Sequence, residues 1–345
     1  MKNIPLEFIV SDNILTDIYG KEAYTEITIP EEVNGQKIEK LGVFLFEGSR
    51  NLEKVTLPES IKEIRLNTFL HCCRLEEVNI PDSVQTIGDA AFANCPKLKS
   101  IHIPEGVEKL GDNMFHGCKS LHEVNIPFTV KEIGPSAFSG CDGLKEVFIP
   151  DSVKSIGDFA FKKCFNLETV SLSDNLNSIG AFAFSDCDNL RTLYIPNSVT
   201  SIEACGFYHC SSLEEVHLSK NAPNIEMGTF SHCRSLKEVI VPPGVKSVGE
   251  QAFEECEQLE RVQLPEGLSG IGSYAFANCT SLQNINIPSS VASIEEHTFA
   301  KCESLESIFI PEGIKCIGSS AFDYCDSLKD IQLPEGIEKI DTLAF

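Results

Sequence analysis

The chain has 345 residues, with 28 basic and 51 acidic side chains, a net charge of −23, fifteen cysteines and no tryptophan. Its apolar content of 42% is that of an ordinary globular chain, and no run approaches the roughly 18 consecutive apolar residues of a membrane span. The strong acidity excludes nucleic acid as a partner, since the phosphate backbone would repel this chain.

The start of the chain predicts an N-terminal capping segment at residues 1–28. This segment carries none of the registers described below. Its residues 6–10 and 24–29 have the composition of strands, and residues 17–20 lie between them as a turn. The pattern therefore predicts a hairpin-like cap.

From residue 29 to residue 345, a 23-residue period organises the chain. Phe recurs every 23 residues from Phe46 to Phe345 with no insertion or deletion, Cys follows three positions later from Cys72 to Cys325, and Leu lies three positions further on. Chance does not lock three residue types to one period. Residues 29–345 therefore predict one solenoid of about thirteen coils instead of the two or three domains that the length suggests.

One unit, residues 91–110, shows what each coil is expected to form. Residues 91–98 place apolar side chains at i, i+1, i+4 and i+7, the stripe of one or two helical turns. Residues 101–103 alternate apolar, polar and apolar, which predicts a short strand with one buried face. Because no 23-residue unit can bury its own apolar face, we expect the units to stack in register, with strands about 4.8 Å apart.

The C-terminal end stops within a unit. Phe345 is the last residue, before the Cys, Leu and strand positions of its coil, whereas repeat arrays need a polar terminal cap. We expect the chain to be a fragment of a longer protein. The alternative is that the uncapped end packs against a partner or mediates oligomerisation.

The unit resembles the BspA-like, or Treponema-type, leucine-rich repeats. The pattern is carried by Ala-Phe-Ala-Asn-Cys-Pro-Lys-Leu-Lys-Ser-Ile-His-Ile-Pro at residues 91–104, and the resemblance covers about residues 29–345. Local departures, such as Ser49 for the first Cys and Ser173 and Ser219 for Pro, leave the register intact. The resemblance implies an α/β leucine-rich-repeat solenoid, a curved right-handed superhelix with one parallel β-sheet on its concave face and short helical turns or strands on the other side. It also implies adhesion to proteins of a host or partner cell.

Twelve of the fifteen cysteines occupy one position in successive coils and predict a buried cysteine ladder of free thiols. In-register Cβ atoms would lie about 4.8 Å apart, beyond the ~3.8 Å that a disulfide prefers. Zinc needs ligands that converge on one tetrahedron, whereas these cysteines follow one another along the chain of coils, so no metal and no cofactor is expected. His209 and His232 could share a metal ion, but the favoured interpretation is that they are two exposed histidines without a metal. Cys73, Cys205 and Cys316 lie off the ladder and are expected to be partly exposed.

The sequence predicts that the chain is not an enzyme. It contains no G-x-G-x-x-G or G-K-S/T phosphate motif. His102 and His217 point outwards, but their column supplies no evident Cys or Asp partner in the adjacent coils. Repeated units also present one environment many times, whereas catalysis needs one special constellation.

The outward residue of each predicted strand forms a column, here called the outward column, on the expected concave sheet. Most of its members are small or polar, as on a solvated face, but larger side chains cluster in the middle of the array. Exposed aromatic side chains on a sheet are candidate anchors for a partner. The predicted partner-binding residues are Phe148, Tyr194, His217, Ile240, Phe309 and His102.

A second outward series, here called the acidic line, lies three residues after the outward column. Like charges about 5 Å apart repel, so we expect a solvated edge that keeps the chain soluble, with a calcium or basic-partner site as the weaker alternative. The acidic members are Glu59, Asp82, Glu105, Asp151, Asp174, Glu266, Glu312 and Glu335.

The predicted function is a non-enzymatic scaffold for protein–protein adhesion, secreted or at a cell surface, with host or partner-cell proteins as ligands. A cytoplasmic interaction scaffold is the alternative, because Glu7 and Asp12 interrupt any signal-peptide core at this start and free thiols suit a reducing compartment. Carbohydrate binding on the aromatic column is a weaker third possibility.

Overall fold

Each 23-residue period folds into one coil that holds two short strands, a tight corner between them, and a segment of turns that carries Phe and Cys. The computed structural model describes residues 5–345 and divides the chain into two units, one ending at Leu167 and one of Glu168–Phe345. Each unit is a β-solenoid, and together they hold about 14 turns. Residues 1–4 of the predicted capping segment lie outside the described residues.

The first unit begins with an antiparallel hairpin whose turn lies earlier than the sequence predicts. Strands Glu7–Ser11 and Ile14–Tyr19 pair through Asp12 and Asn13, which have φ values of 52° and 62°. Two successive positive φ values define the primed turn that matches strand twist, and Asp and Asn tolerate them. The turn predicted at residues 17–20 is therefore wrong.

Three short elements link this hairpin to the repeats. A second hairpin turns at Asn34 and Gly35, both of which have positive φ values. The linking elements are the 3₁₀ helix Lys21–Ala23, the strand Glu26–Thr28, and the hairpin strands Glu32–Val33 and Gln36–Lys37.

Two series of parallel strands run through the first unit, where the sequence predicts one sheet. In the first strand ladder the central residue of a strand points into the core and its neighbours face outwards, as in Glu146–Phe148. In the second strand ladder the last residue of each pair is buried. The first strand ladder contains Glu26–Thr28, Lys54–Thr56, Glu77–Asn79, Ser100–Ile101, Glu123–Val124 and Glu146–Phe148; the second contains Lys40–Leu41, Glu63–Ile64, Thr86–Ile87, Lys109–Leu110, Glu132–Ile133 and Ser155–Ile156.

The second unit repeats both series. Residues 23 apart pair in register, as Thr192 does with Glu215 and Tyr194 with His217. Its first strand ladder contains Thr169–Ser171, Thr192–Tyr194, Glu215–His217, Glu238–Ile240, Arg261–Gln263, Asn284–Asn286, Ser307–Phe309 and Asp330–Gln332; its second contains Ser178–Ile179, Ser201–Ile202, Asn224–Ile225, Ser247–Val248, Gly270–Ile271, Ser293–Ile294, Cys316–Ile317 and Lys339–Ile340.

The segment that carries Phe and Cys, here called the Phe–Cys row, is a run of turns and not the predicted helical turn. Asn67 and His71, which lie two residues before and two residues after Phe69, have φ values of 56° and 60°. The N–H groups of these three residues donate to carbonyls of the next coil at 2.8–3.0 Å, and those between them donate three residues back. Because every second N–H group donates to a carbonyl of the next coil, these groups cannot form the i→i−4 hydrogen bonds of an α-helix. Within residues 5–345 the one helix is Lys21–Ala23, so the predicted solenoid is confirmed, whereas the helical part of the predicted α/β class is not.

The core of each unit is built on stacked Phe rings. Successive ring centroids lie 5.0–5.6 Å apart from Phe46 to Phe161, and 5.4–5.7 Å apart from Phe184 to Phe345. Offset stacking of this kind stabilises each pair by about 0.5–1.5 kcal/mol beyond the burial of its area. The repeated Phe is therefore a packing position.

The predicted burial of the cysteine ladder is confirmed from Cys72 to Cys302, and the last member, Cys325, is half-buried. In the first unit the Sγ atoms donate to the carbonyl of the preceding coil's Phe at 3.0–3.2 Å, and in the second at 3.2–3.4 Å. Burial raises the pKa of Cys118 and Cys233 to about 12. These thiols are therefore protonated packing groups.

Of the three cysteines off the ladder, two are as accessible as predicted and one is not. Cys73 is exposed and Cys316 half-buried, but Cys205 is buried. Its Sγ atom lies 2.8 Å from the place where a Cβ of residue 228 would stand, and that residue is Gly228. The missing side chain at Gly228 therefore leaves the space that Cys205 fills.

Candidate interaction surface

The first strand ladder holds the outward column in place. In strands such as Thr192–Tyr194, Glu215–His217 and Glu238–Ile240 the central side chain is buried, so the residues on either side must face outwards. Because Tyr194 pairs with His217 and Glu215 with Glu238, outward residues of successive coils lie side by side. The column is therefore an ordered row of side chains at strand spacing.

In the second unit, three predicted residues line one groove. Tyr194 and Ile240 are 58% and 59% exposed, and His217 lies in the strand between theirs. The ring centroids of Tyr194 and His217 lie 6.0 Å apart with a tilt of 51°. The groove is open to solvent and has a volume of about 680 Å³. The structure thus brings Tyr194, His217 and Ile240 together on one surface, with Pro242 and Pro243 beside them.

The acidic side chains along this groove are paired with basic ones. Glu214 accepts from Lys237 at 2.8 Å, and this hydrogen bond and charge lower the pKa of the Glu214 carboxyl. Glu238 lies 3.1 Å from Arg261. Glu215 Oε1 lies 3.0 Å from His217 Nε2. Of the three carboxylates along the groove, those of Glu214 and Glu238 are therefore paired with a lysine or an arginine.

The first unit contains a smaller aromatic pair. Phe148 is 60% exposed, and Phe128 contacts it edge to face with ring centroids 6.4 Å apart. Phe128 is itself 69% exposed and occupies a position of the acidic line. Sequence reasoning missed Phe128, although an aromatic residue where other coils place Asp or Glu was the available signal.

The remaining predicted residues, His102 and Phe309, belong to neither cluster. His102 is exposed, and its Nε2 atom lies 3.3 Å from Asp82 Oδ1. Asp82 belongs to the acidic line, whereas the prediction of no Cys or Asp partner concerned the column of His102, in which the neighbours are Asn79 and Asn125. Phe309 is 70% exposed and pairs in register with Asn286 and Gln332.

The histidines of the Phe–Cys row are less accessible than predicted. His209 and His232 are half-buried, with ring centroids 5.9 Å apart, because the ring of Tyr208 lies beside both. Burial lowers the pKa of His232, and the His209 Nδ1 atom lies 3.2 Å from Asp188 Oδ1. Among the described residues, no group of three or more His, Cys, Asp or Glu side chains is arranged to hold a metal ion.

The described part of the chain also contains no helix of the length and apolarity that a membrane span requires.

Comparison with known proteins identifies the repeat. The sequence profile of the BspA type Leucine rich repeat region matches residues 13–145, 132–249 and 223–345, with six copies in all. A leucine-rich repeat protein from Bacteroides ovatus has a similar structure, with a TM-score of 0.78 and 30% sequence identity. That match covers 98% of this chain and 95% of the Bacteroides chain.

Two further solved structures are similar over most of the chain. A leucine rich cell surface protein from Faecalibacterium prausnitzii is 29% identical, with a TM-score of 0.50, over 81% of this chain and 92% of its own. A leucine-rich repeat protein from Eubacterium ventriosum is 24% identical, with a TM-score of 0.58, over 97% of this chain and 90% of its own. No curated protein matches significantly. The chain belongs to the BspA type leucine-rich repeat family, whose repeats indicate a protein-interaction scaffold.

Proposed function

We propose that this protein is a non-enzymatic adhesion scaffold at a cell surface, which binds proteins of a host or partner cell through its outward column. The observation that carries the proposal is the groove of Tyr194, His217 and Ile240. The similar Faecalibacterium protein, described as a leucine rich cell surface protein, supports the location.

The groove has the chemistry of a protein-binding surface. Exposed aromatic and aliphatic side chains that lie together are the usual anchors of such interfaces, because they bury large apolar areas on binding. Here the anchors are held by paired strands, so little side-chain or backbone ordering is required when a partner docks. Most other members of the column are polar, which confines the apolar surface to a few coils.

Binding of the purified protein to a panel of purified host-surface and matrix proteins tests the proposal. For a partner found in this way, Tyr194→Ala and Ile240→Ala are expected to lower affinity at least tenfold, which is the effect of losing a central anchor. Gln263→Ala, one coil beyond Ile240 in the same column, is the matched control and is expected to have no effect. Equal affinity of all three variants and the unmodified chain would exclude the groove.

The alternative of a cytoplasmic scaffold is favoured by the free thiols, of which Cys73 is exposed. Protease treatment of intact producing cells separates the two locations. Digestion of the chain on intact cells is expected for a surface protein, whereas full protection until lysis would establish the cytoplasmic alternative.

A further inference from the structure

Two independent residue series depart from their pattern in the same three coils of the second unit. The outward column there holds Tyr194, His217 and Ile240 in place of small or polar residues. The acidic line, three residues later in each coil, loses its carboxylate at the corresponding positions, and two further losses occur, at Phe128 and Ser289. The three residues that replace the acids are Asn197, Lys220 and Pro243.

Packing of the coils does not require these replacements. Asn197, Lys220 and Pro243 are all exposed, as are the three members of the outward column beside them. Exposed positions tolerate most residues with little change in stability. The joint departure therefore changes the surface chemistry of these coils without being needed for their packing.

The fold holds Lys220 firmly at the edge of the groove. The backbone N–H of Lys220 donates to Asn197 Oδ1 at 3.0 Å, and Asn221 Nδ2 donates to the Asn197 carbonyl at 2.7 Å. Ser219, which replaces the proline of other coils, donates to the Val199 carbonyl at 2.6 Å. The loop is thus bonded to the preceding coil at three points, and Lys220 is presented from a fixed backbone.

The charges around the groove leave Lys220 as its available cation. The other lysine that lines the groove, Lys237, is bonded to Glu214. Lys220 forms no ion pair with any of the described residues. An anionic group that approached the line at Glu266 or Asp174 would be repelled, whereas at Lys220 it would be attracted.

We propose that the groove binds an extended peptide segment of the partner in which a carboxylate lies next to an aromatic or aliphatic side chain. The apolar side chain packs on Tyr194, His217 and Ile240, and the carboxylate forms an ion pair with Lys220. This inference rests on the proposed function and specifies the chemistry of its ligand.

The side chains that line the groove favour a peptide ligand over a glycan. Ile240, Pro242 and Pro243 offer no side chain that could bond a sugar hydroxyl, so this half of the groove suits an apolar side chain. Tyr194 and His217 are tilted by 51° and form no flat stacking platform. The groove volume of about 680 Å³ is within the range of sites for small ligands and short segments.

Three pools of fluorescein-labelled octapeptides test the proposal by anisotropy. Each pool draws its positions from Phe, Leu, Tyr and Gly together with Asp, Ser or Lys, so that the pools differ in charge alone. The Asp pool is expected to bind at least tenfold more tightly than the Lys pool. Lys220→Glu, which restores the acidic line, is expected to lower the affinity of the Asp pool by about fivefold to tenfold, because it removes an exposed ion pair and adds a repulsive charge.

Lys301→Glu is the matched control, because it changes the net charge equally at an exposed lysine in a different coil. Equal loss in Lys301→Glu and Lys220→Glu would overturn the inference, as would equal binding of the three pools. If the pools do not bind and a sialylated glycan array does, the peptide ligand is wrong. In all these cases Tyr194→Ala would still test the proposed function separately against a protein partner.

Discussion

The Phe–Cys row and the outward column belong to the same coils but differ in what recurs. In the row, Phe and Cys make the same contacts coil after coil, as the rings of Phe253 and Phe276 do at 5.4 Å. In the column, successive strands present different residues, such as His217 and then Ile240. Stacking coils demands identical neighbours, whereas recognition of a partner demands a local difference. Departures from the repeat on an exposed face therefore mark the candidate site better than its conserved-looking positions do.

The largest expected effect concerns the buried thiols of the row. Burial raises the pKa of Cys118 and Cys164 to about 12, whereas an unfolded chain ionises near 9. Above pH 9 the unfolded state loses protons that the folded state retains, so stability falls as the pH rises from 9 towards 12. The loss approaches about 1.4 kcal/mol per pH unit for each thiol whose pKa is raised in this way.

Urea denaturation at pH 8, 9 and 10 measures this slope. Cys118→Ala is expected to make it shallower, and Cys73→Ala, which removes an exposed thiol, is expected to leave it unchanged. The interpretation is wrong if both variants have the slope of the unmodified chain.

A second prediction contrasts two Phe residues of the second unit. Phe253→Ala is expected to lower the free energy of unfolding by about 3–5 kcal/mol, because this ring is fully buried between two others. Phe309→Ala, on the outward column, is expected to change it by less than about 0.5 kcal/mol. Chemical denaturation of both variants is the measurement, and similar losses would show that the column also carries packing energy.

A third prediction separates binding from stability within the groove. Tyr194→Ala is expected to lower the free energy of partner binding by about 2 kcal/mol, as for a central anchor, while the denaturation midpoint stays within experimental error. Ser171→Ala, in the same column but outside the groove, is expected to alter neither quantity. A shifted midpoint in Tyr194→Ala would place Tyr194 among the packing residues.

The smallest effect is expected from ion pairs between coils. Lys99 and Glu76 lie 2.7 Å apart, but both are well exposed. Lys99→Ala is therefore expected to reduce stability by about 0.2–1 kcal/mol, and this difference should shrink in 0.5–1 M salt because the charges are screened. A loss above 2 kcal/mol, insensitive to salt, would contradict this interpretation.

The sequence predicts the coil length and the buried positions well, since the Phe and Cys positions represented by Phe92 and Cys95 recur every 23 residues and are fully buried in this coil. It does not reveal the turns of the Phe–Cys row. The positive φ values there fall on Ala90, Phe159 and Cys205 as readily as on Asn or Gly, so no residue type marks them. Only the hydrogen bonds to the next coil determine that conformation.

The sequence predicts only those parts of the candidate surface whose residues share one position of the repeat. Tyr194, His217 and Ile240 could be assigned to one face because they share one register. Phe128 could not, because its contact with Phe148 joins two different registers. The contact of His102 Nε2 with Asp82 Oδ1 also joins two registers, and a column-by-column analysis overlooks it.

The alternation of N–H directions in the Phe–Cys row restricts how such a chain can change in length. Inserting one residue just before Asn67 would reverse the N–H directions of Asn67, Phe69 and His71 and would break their three bonds to the next coil. Deletion would have the same effect. A whole additional period of 23 residues preserves every direction, so chains of this kind are expected to lengthen by complete coils. Shorter additions belong where the alternation is absent, as in the hairpin of Glu32–Val33 and Gln36–Lys37.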